Sequence, residues 1–135
     1  MCTSGLTQRI ALQAIESGLI ESLQTQAIAL YRERRDAMCN ALTEHLSEWF
    51  EWEVPVGGMF VWIVARDQQA DTDALLTYAM QHAVCVSPSS VFDATGKNRQ
   101  ALRLNFTLNT PDTIAQGVKR LAKAVRSQLQ KGAQA

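Results

Sequence analysis

Two short segments constrain this chain most. They are Pro55-Val56-Gly57-Gly58-Met59-Phe60-Val61-Trp62 and Leu102-Arg103-Leu104-Asn105-Phe106, the second running on into Thr110-Pro111-Asp112. In the second, Leu102, Leu104 and Phe106 alternate with Arg103, Asn105 and Thr107, the period-two pattern of a strand that buries one face and offers a guanidinium on the other. Thr110-Pro111-Asp112 then joins a capping hydroxyl, a proline at the first helical position and a first-turn carboxylate, which together start a helix. Ile114, Val118, Leu121, Ala122, Val125 and Leu129 give that helix one apolar stripe.

The rest of the chain supplies partners for these two elements. A first helix starts near Ser4 or Thr7 and runs through Ile10, Ala11, Ala14 and Ile15 until Gly18 interrupts it. A longer one follows, with Leu23, Ala27, Leu30, Tyr31, Met38, Ala41, Leu42, Leu46 and Trp49 at three- and four-residue steps and Arg32, Glu33, Arg35 and Asp36 opposite. Glu51 to Val54 alternates and stops at Pro55, as a short edge strand does. Gly57-Gly58 permits a tight reversal into Met59 to Ala65, a nearly continuous apolar run typical of a central strand. Asp71 or Thr72 caps a third helix carrying Leu75, Leu76, Ala79 and Met80. Val84-Cys85-Val86 is a short strand ending at Ser87-Pro88, and a polar loop with Phe92 and Gly96 leads to the Arg103 strand. The order αα-ββ-α-ββ-α describes an α+β fold, in which amphipathic helices cover a small, mostly antiparallel sheet of three to four strands.

Composition excludes several function classes. At 135 residues the chain has the size of one domain. Thirteen basic and thirteen acidic residues cancel, so no global field draws nucleic acid or an anionic membrane. Lys119, Arg120, Lys123, Arg126 and Lys131 crowd the last helix, which suits a solvated face near a helix C-terminus better than a nucleic-acid patch. Cys2, Cys39 and Cys85 are odd in number and widely spaced, against a disulfide framework and in keeping with a cytoplasmic protein. No stretch approaches the roughly 20 apolar residues of a membrane helix, and no signal-peptide pattern precedes the first helix.

Few residues can carry chemistry. His45 and His82 fall on different helices with no acidic or thiol neighbour at ligand spacing, so neither supports a metal site. No serine stands in a nucleophile elbow. Gly57-Gly58 lacks the further glycines, the lysine and the helix of a phosphate loop, and fits a turn between strands. Arg103, taken alone, is the kind of arginine more often simply solvated on an open sheet face.

Taken together, the glycine-glycine strand, the arginine strand and the Thr-Pro-Asp helix resemble the small, C-terminal domain of the fold-type I pyridoxal-phosphate aminotransferases, class I/II, from Thr3 to about Leu129. The resemblance implies that residues 1–18 are a helical interface segment, 19–131 the small domain and 132–135 a tail. It implies transfer of an amino group between an amino acid and a 2-oxo acid, with Arg103 gripping the substrate α-carboxylate. A planar guanidinium gives two parallel charge-assisted bonds to a carboxylate, fixing orientation as well as position. Gly58 would border the mouth of the site. Phe92 would either wall the substrate side chain or plug the core, in a loop where Ser89 replaces the family's usual glycine. Cys2 to Gln8 resembles a segment at the family's dimer interface, implying a homodimer. No catalytic or cofactor-binding residue is assigned here: Lys97, Lys119, Lys123 and Lys131 lie in a loop or on a charged helix face, and none matches the lysine that forms the family's internal aldimine. Pyridoxal phosphate is therefore expected in an intact protein and not on this chain alone. The same domain also closes winged-helix transcriptional regulators, where it would act as an effector domain and DNA would be a partner.

Overall fold

The computed structural model describes residues 4–132. Its sheet has four strands, β1 (Phe50–Trp52), β2 (Phe60–Ala65), β3 (Ser87–Pro88) and β4 (Ala101–Asn105), in the order β1-β2-β4-β3 with every neighbouring pair antiparallel. Four helices, α1 (Gly5–Glu16), α2 (Leu19–His45), α3 (Thr72–Gln81) and α4 (Pro111–Gly132), complete the expected α+β order, with a 3-10 turn at Ser89–Phe92. The residues fall into two compact units, Met1–Arg32 and Glu33–Ala135.

In the second unit the alternation on β4 decides where the core lies. Val61 pairs with Leu104 and Ile63 with Leu102 on one face of the β2–β4 ladder. All four are buried, as are Met38, Leu42 and Leu46 of the α2 region, Leu75 and Ala79 of α3, and Ile114, Val118, Leu121 and Val125 of α4. Area removed from water on this scale is the main favourable term in folding. Capping fixes where the helices begin. The Asp71 carboxylate accepts from the N–H groups of Asp73 (2.9 Å) and Ala74 (3.0 Å), and Thr110 Oγ1 accepts from Thr113 N–H (3.3 Å) one residue before Pro111 opens α4.

In the first unit, Ser4 stands at the N-cap of α1, although its hydroxyl makes no capping bond. Gly18, at φ +70°, takes the left-handed position after the helix and donates its N–H to the Ile15 carbonyl (3.0 Å). No residue of α1 is buried. Residues 1–3 of the expected interface segment, Cys2 among them, and 133–135 of the expected tail lie outside the described residues.

Several local expectations are corrected. The β1–β2 connection is not a tight reversal at Gly57-Gly58. The last ladder pair is Trp52 with Ile63, and the intervening chain forms a wide loop around Pro55, which has no N–H to give to a ladder and whose carbonyl instead accepts from Arg35 Nη1 (3.1 Å). β1 is accordingly Phe50–Trp52 rather than residues 51–54. β3 is Ser87–Pro88 and not Val84–Val86: Ala83 has φ +56° and Val84 N–H donates back to the Ala79 carbonyl (2.9 Å), so the chain is still closing off α3 at Val84 and pairs only from Ser87. Proline is tolerated on β3 because β3 is an edge. The α2 stripe is buried only from Met38 onward, with Leu23 and Leu30 exposed, and Leu129 of α4 lines an open groove beside Trp49 and Leu75.

Candidate functional site

β2 is an inner strand of the sheet, as its continuous apolar run suggests, and it alternates exposed and buried along its length. Val61 and Ile63 face the core, while Phe60, Trp62 and Val64 lie on the open face at 36%, 39% and 36% exposure. On this face Trp62 pairs with Arg103, and Ser87 of β3 pairs with Arg103 from the other side. Arg103 is thus the central residue of an open, aromatic sheet face.

Its guanidinium is held by rings. The Cζ atom lies over the Phe60 ring and over the Phe92 ring, 4.0 Å from each centroid. Trp62 meets Phe92 edge to face, with centroids 6.0 Å apart and planes at 64°. Among the described residues, no carboxylate pairs with Arg103, and its buried Nε has no hydrogen-bond partner. A buried donor on a cation costs free energy when it is left unpaired, and Arg34 Nε is a second such donor. A cleft of about 240 Å³ lies beside Arg103 and Phe60, lined also by Cys85, Leu108 and Ile114. A wider groove, lined by Trp52, Val56, Phe60 and Trp62, adjoins it.

The structure brings Arg103 and Phe92 together. Phe92 is 45% exposed and so does not plug the core. Gly58, at φ +82°, forms the turn two residues before Phe60, and its conformation is what a side chain would strain. Sequence reasoning passed over Phe60 and Trp62 as site residues. The signal was present: a strand with one wet face ordinarily alternates with polar residues, and these two do not.

The loop bearing Phe92 is pinned at both ends. Ser89, only 1% exposed, donates its hydroxyl to the Asn98 carbonyl (2.9 Å) and accepts from Ala101 N–H (3.1 Å), so a serine does by hydrogen bonding what a glycine cannot. The Asp93 carboxylate accepts from the N–H groups of Asn98 (2.8 Å), Thr95 (2.9 Å) and Lys97 (3.0 Å) and from the Thr95 hydroxyl, and these bonds, Asn98 first, hold it down to about 2. Ser90 Oγ donates to Asp73 Oδ1 at 2.5 Å, tying the turn to α3.

Of the free thiols, Cys85 is exposed in the cleft beside Arg103 and Cys39 is buried. Burial pushes the Cys39 thiol up, which makes it a poor nucleophile. Lys97, Lys119, Lys123 and Lys131 are all exposed, one in the loop and three on α4. Among the described residues, no grouping of His, Cys, Asp and Glu could hold a metal, and no helix is long and apolar enough to cross a membrane.

No family model matches the chain. An aromatic-amino-acid aminotransferase of Thermococcus litoralis is 34% identical over 131 residues, which are 97% of this chain and 31% of that protein. A multiple-substrate aminotransferase of Thermococcus profundus superimposes with a TM-score of 0.88 at 34% identity, over 96% of this chain and 32% of the other. The Bacillus subtilis transcriptional regulator YisV, of the helix-turn-helix type, is 25% identical over 92% of this chain and 25% of its own length. The chain therefore spans about a third of the curated aminotransferases it matches. In sequence and in fold it belongs with the fold-type I pyridoxal-phosphate aminotransferases, as the α+β small domain of that family.

Proposed function

We propose that this chain supplies the substrate-carboxylate grip of a pyridoxal-phosphate aminotransferase that moves an amino group between an amino acid and a 2-oxo acid. The observation that carries this is the Arg103 guanidinium, presented on an open face with a buried Nε that has no partner among the described residues. A cation so placed favours an anionic acceptor, and its fork fits the planar α-carboxylate shared by both substrates. Orientation matters because the bond to be broken must stand at a defined angle to the cofactor. Phe92 and the turn at Gly58 would border the substrate. The cofactor's seat and its lysine are assigned to residues outside this chain, so the chain alone is predicted inactive. The working enzyme is proposed to be a cytoplasmic homodimer.

The match to a helix-turn-helix regulator supports a second reading, in which the domain senses an amino acid and DNA affinity is the output. Arg103 would grip the same carboxylate in either case.

The test is made in the complete protein, with Arg103→Lys and Arg103→Ala. Loss of a partly desolvated charge pair costs about 2–5 kcal/mol, roughly 30-fold to several thousand-fold in kcat/KM. Lysine should rescue only in part, because it keeps the charge and loses the fork. An amine lacking the carboxylate should react almost as well as with the unaltered protein. Equal loss for both substrates, or for neither, would make Arg103 a structural residue.

A further inference from the structure

Resting on the carboxylate reading of Arg103, we infer that Phe60 and Phe92 are positioning residues that set the attitude of the Arg103 guanidinium and leave its hydrogen-bonding edge for a planar anion. The two rings come from opposite sides of β4: Phe60 from β2, and Phe92 from the turn that follows β3. Each stands 4.0 Å from Cζ, at stacking range, so the positive charge is attracted to two ring faces at once. Rings attract the cation and shield it from water, yet they take none of its in-plane N–H groups. Arginine clamps are commonly oriented by a carboxylate or carbonyl. Here no such acceptor reaches Arg103 among the described residues, and Nε is buried without one. Orientation is left to the rings.

The rings are themselves held. Phe60 lies in the β2–β4 ladder opposite Asn105, and Phe92 is braced by Trp62 at 6.0 Å and by the pinned loop on either side of it. A long side chain fixed in this way loses little further freedom when a ligand arrives, which strengthens binding without adding a contact to the ligand. The pair thereby acts through Arg103 and not by touching the carboxylate.

The test uses this chain, with acetate as the carboxylate probe and methylammonium as the control, followed by NMR of the Arg103 Nε–Hε group, which is assigned by its loss in Arg103→Lys. In the unaltered chain, ring currents should displace the Arg103 Hε resonance from those of the other arginines, and acetate should move it while methylammonium does not. Phe60→Leu and Phe92→Leu should each weaken acetate binding about 2–5-fold and return Hε toward the ordinary position. The double variant should lose about tenfold or more. Phe60→Tyr and Phe92→Tyr keep a ring and should stay near the unaltered chain, a rescue that simple space-filling would not give. If acetate fails to move Arg103 in the unaltered chain, the carboxylate reading falls and this inference with it. If acetate binds Arg103 equally well in the leucine variants, the positioning role alone is overturned. Should Phe60→Leu disturb the fold, Phe92→Leu decides, since that ring lies on an exposed turn and is itself 45% exposed.

Discussion

The two faces of β2 are built from equally apolar side chains and do opposite work. Val61, Ile63 and Leu102 are fully buried and Leu104 nearly so, while one residue away Phe60, Trp62 and Val64 are left more than a third exposed around a charged arginine. Burial of aliphatic side chains stabilises; exposure of aromatic ones does not, and a chain that keeps them exposed keeps them for a surface that meets something. The contrast teaches that apolar content along a strand gives no measure of how many faces are covered. The two aromatic residues of β2, Phe60 and Trp62, both fall on the open face, and its two fully buried residues, Val61 and Ile63, are both β-branched.

Substitutions on adjacent residues of β2 give the sharpest way to break this comparison. Ile63→Ala should cost about 2–5 kcal/mol, the transfer term plus a cavity in a packed core. Val64→Ala, one position along and on the open face, should cost about 1 kcal/mol or less. Urea unfolding of the two variants checks the pair, and equal losses would mean that the outer face is also held as core.

A smaller effect belongs to the rim of the buried layer. Asp71→Ala removes the carboxylate that accepts two N–H groups at the start of α3 and should cost about 1 kcal/mol, roughly 4 °C in Tm. The contact between Asp71 and Arg99 at 3.4 Å is exposed and should add little. Asp71→Asn keeps an acceptor and should recover most of the loss in a thermal melt. If asparagine does no better than alanine, the cap is not what holds this end of α3.

Much of this contrast was legible in the sequence, and what was not has physical causes. Period two in Leu102 to Phe106 and the Thr110-Pro111-Asp112 cap are local signals, set by backbone geometry and orphan N–H groups, and they placed β4 and α4 correctly. The α+β order followed from such signals, as did Arg103 on the open side. Burial is a property of partners, and periodicity names a face without naming what covers it: the α2 stripe runs unbroken from Leu23 to Trp49, yet only its later part is buried. The β1–β2 loop and β3 were misplaced because a proline and a left-handed alanine moved the start of pairing by a few residues. Phe60 and Phe92 stand 32 positions apart in the chain, so their meeting at Arg103 had no local signal at all.

The smallest expected effect is a pH dependence confined to the open face. Asp93 follows Phe92 directly, and its carboxylate has a folded value of about 2 against an ordinary 3.8, because N–H groups of Asn98, Thr95 and Lys97 bond the ionised form. A value depressed on folding means that the loop is stabilised above about 3.8 and loses that stabilisation as pH falls toward 2. The core face carries no such group among Val61, Ile63, Leu102 and Leu104. Acidification through this window should therefore loosen the Asp93–Asn98 loop, and with it the Phe92 ring over Arg103, before the buried ladder yields. Amide exchange at Thr95, Lys97 and Asn98 would show it, rising as pH is lowered after correction for intrinsic rates, while the β2 and β4 amides keep their protection. Asp93→Asn should show fast loop exchange already at neutral pH and lose most of the pH dependence, since the amide keeps one oxygen acceptor and no charge. Loop and ladder amides that loosen together would show that the open face is as cooperative as the core, and would remove the distinction between the two faces on which the site depends.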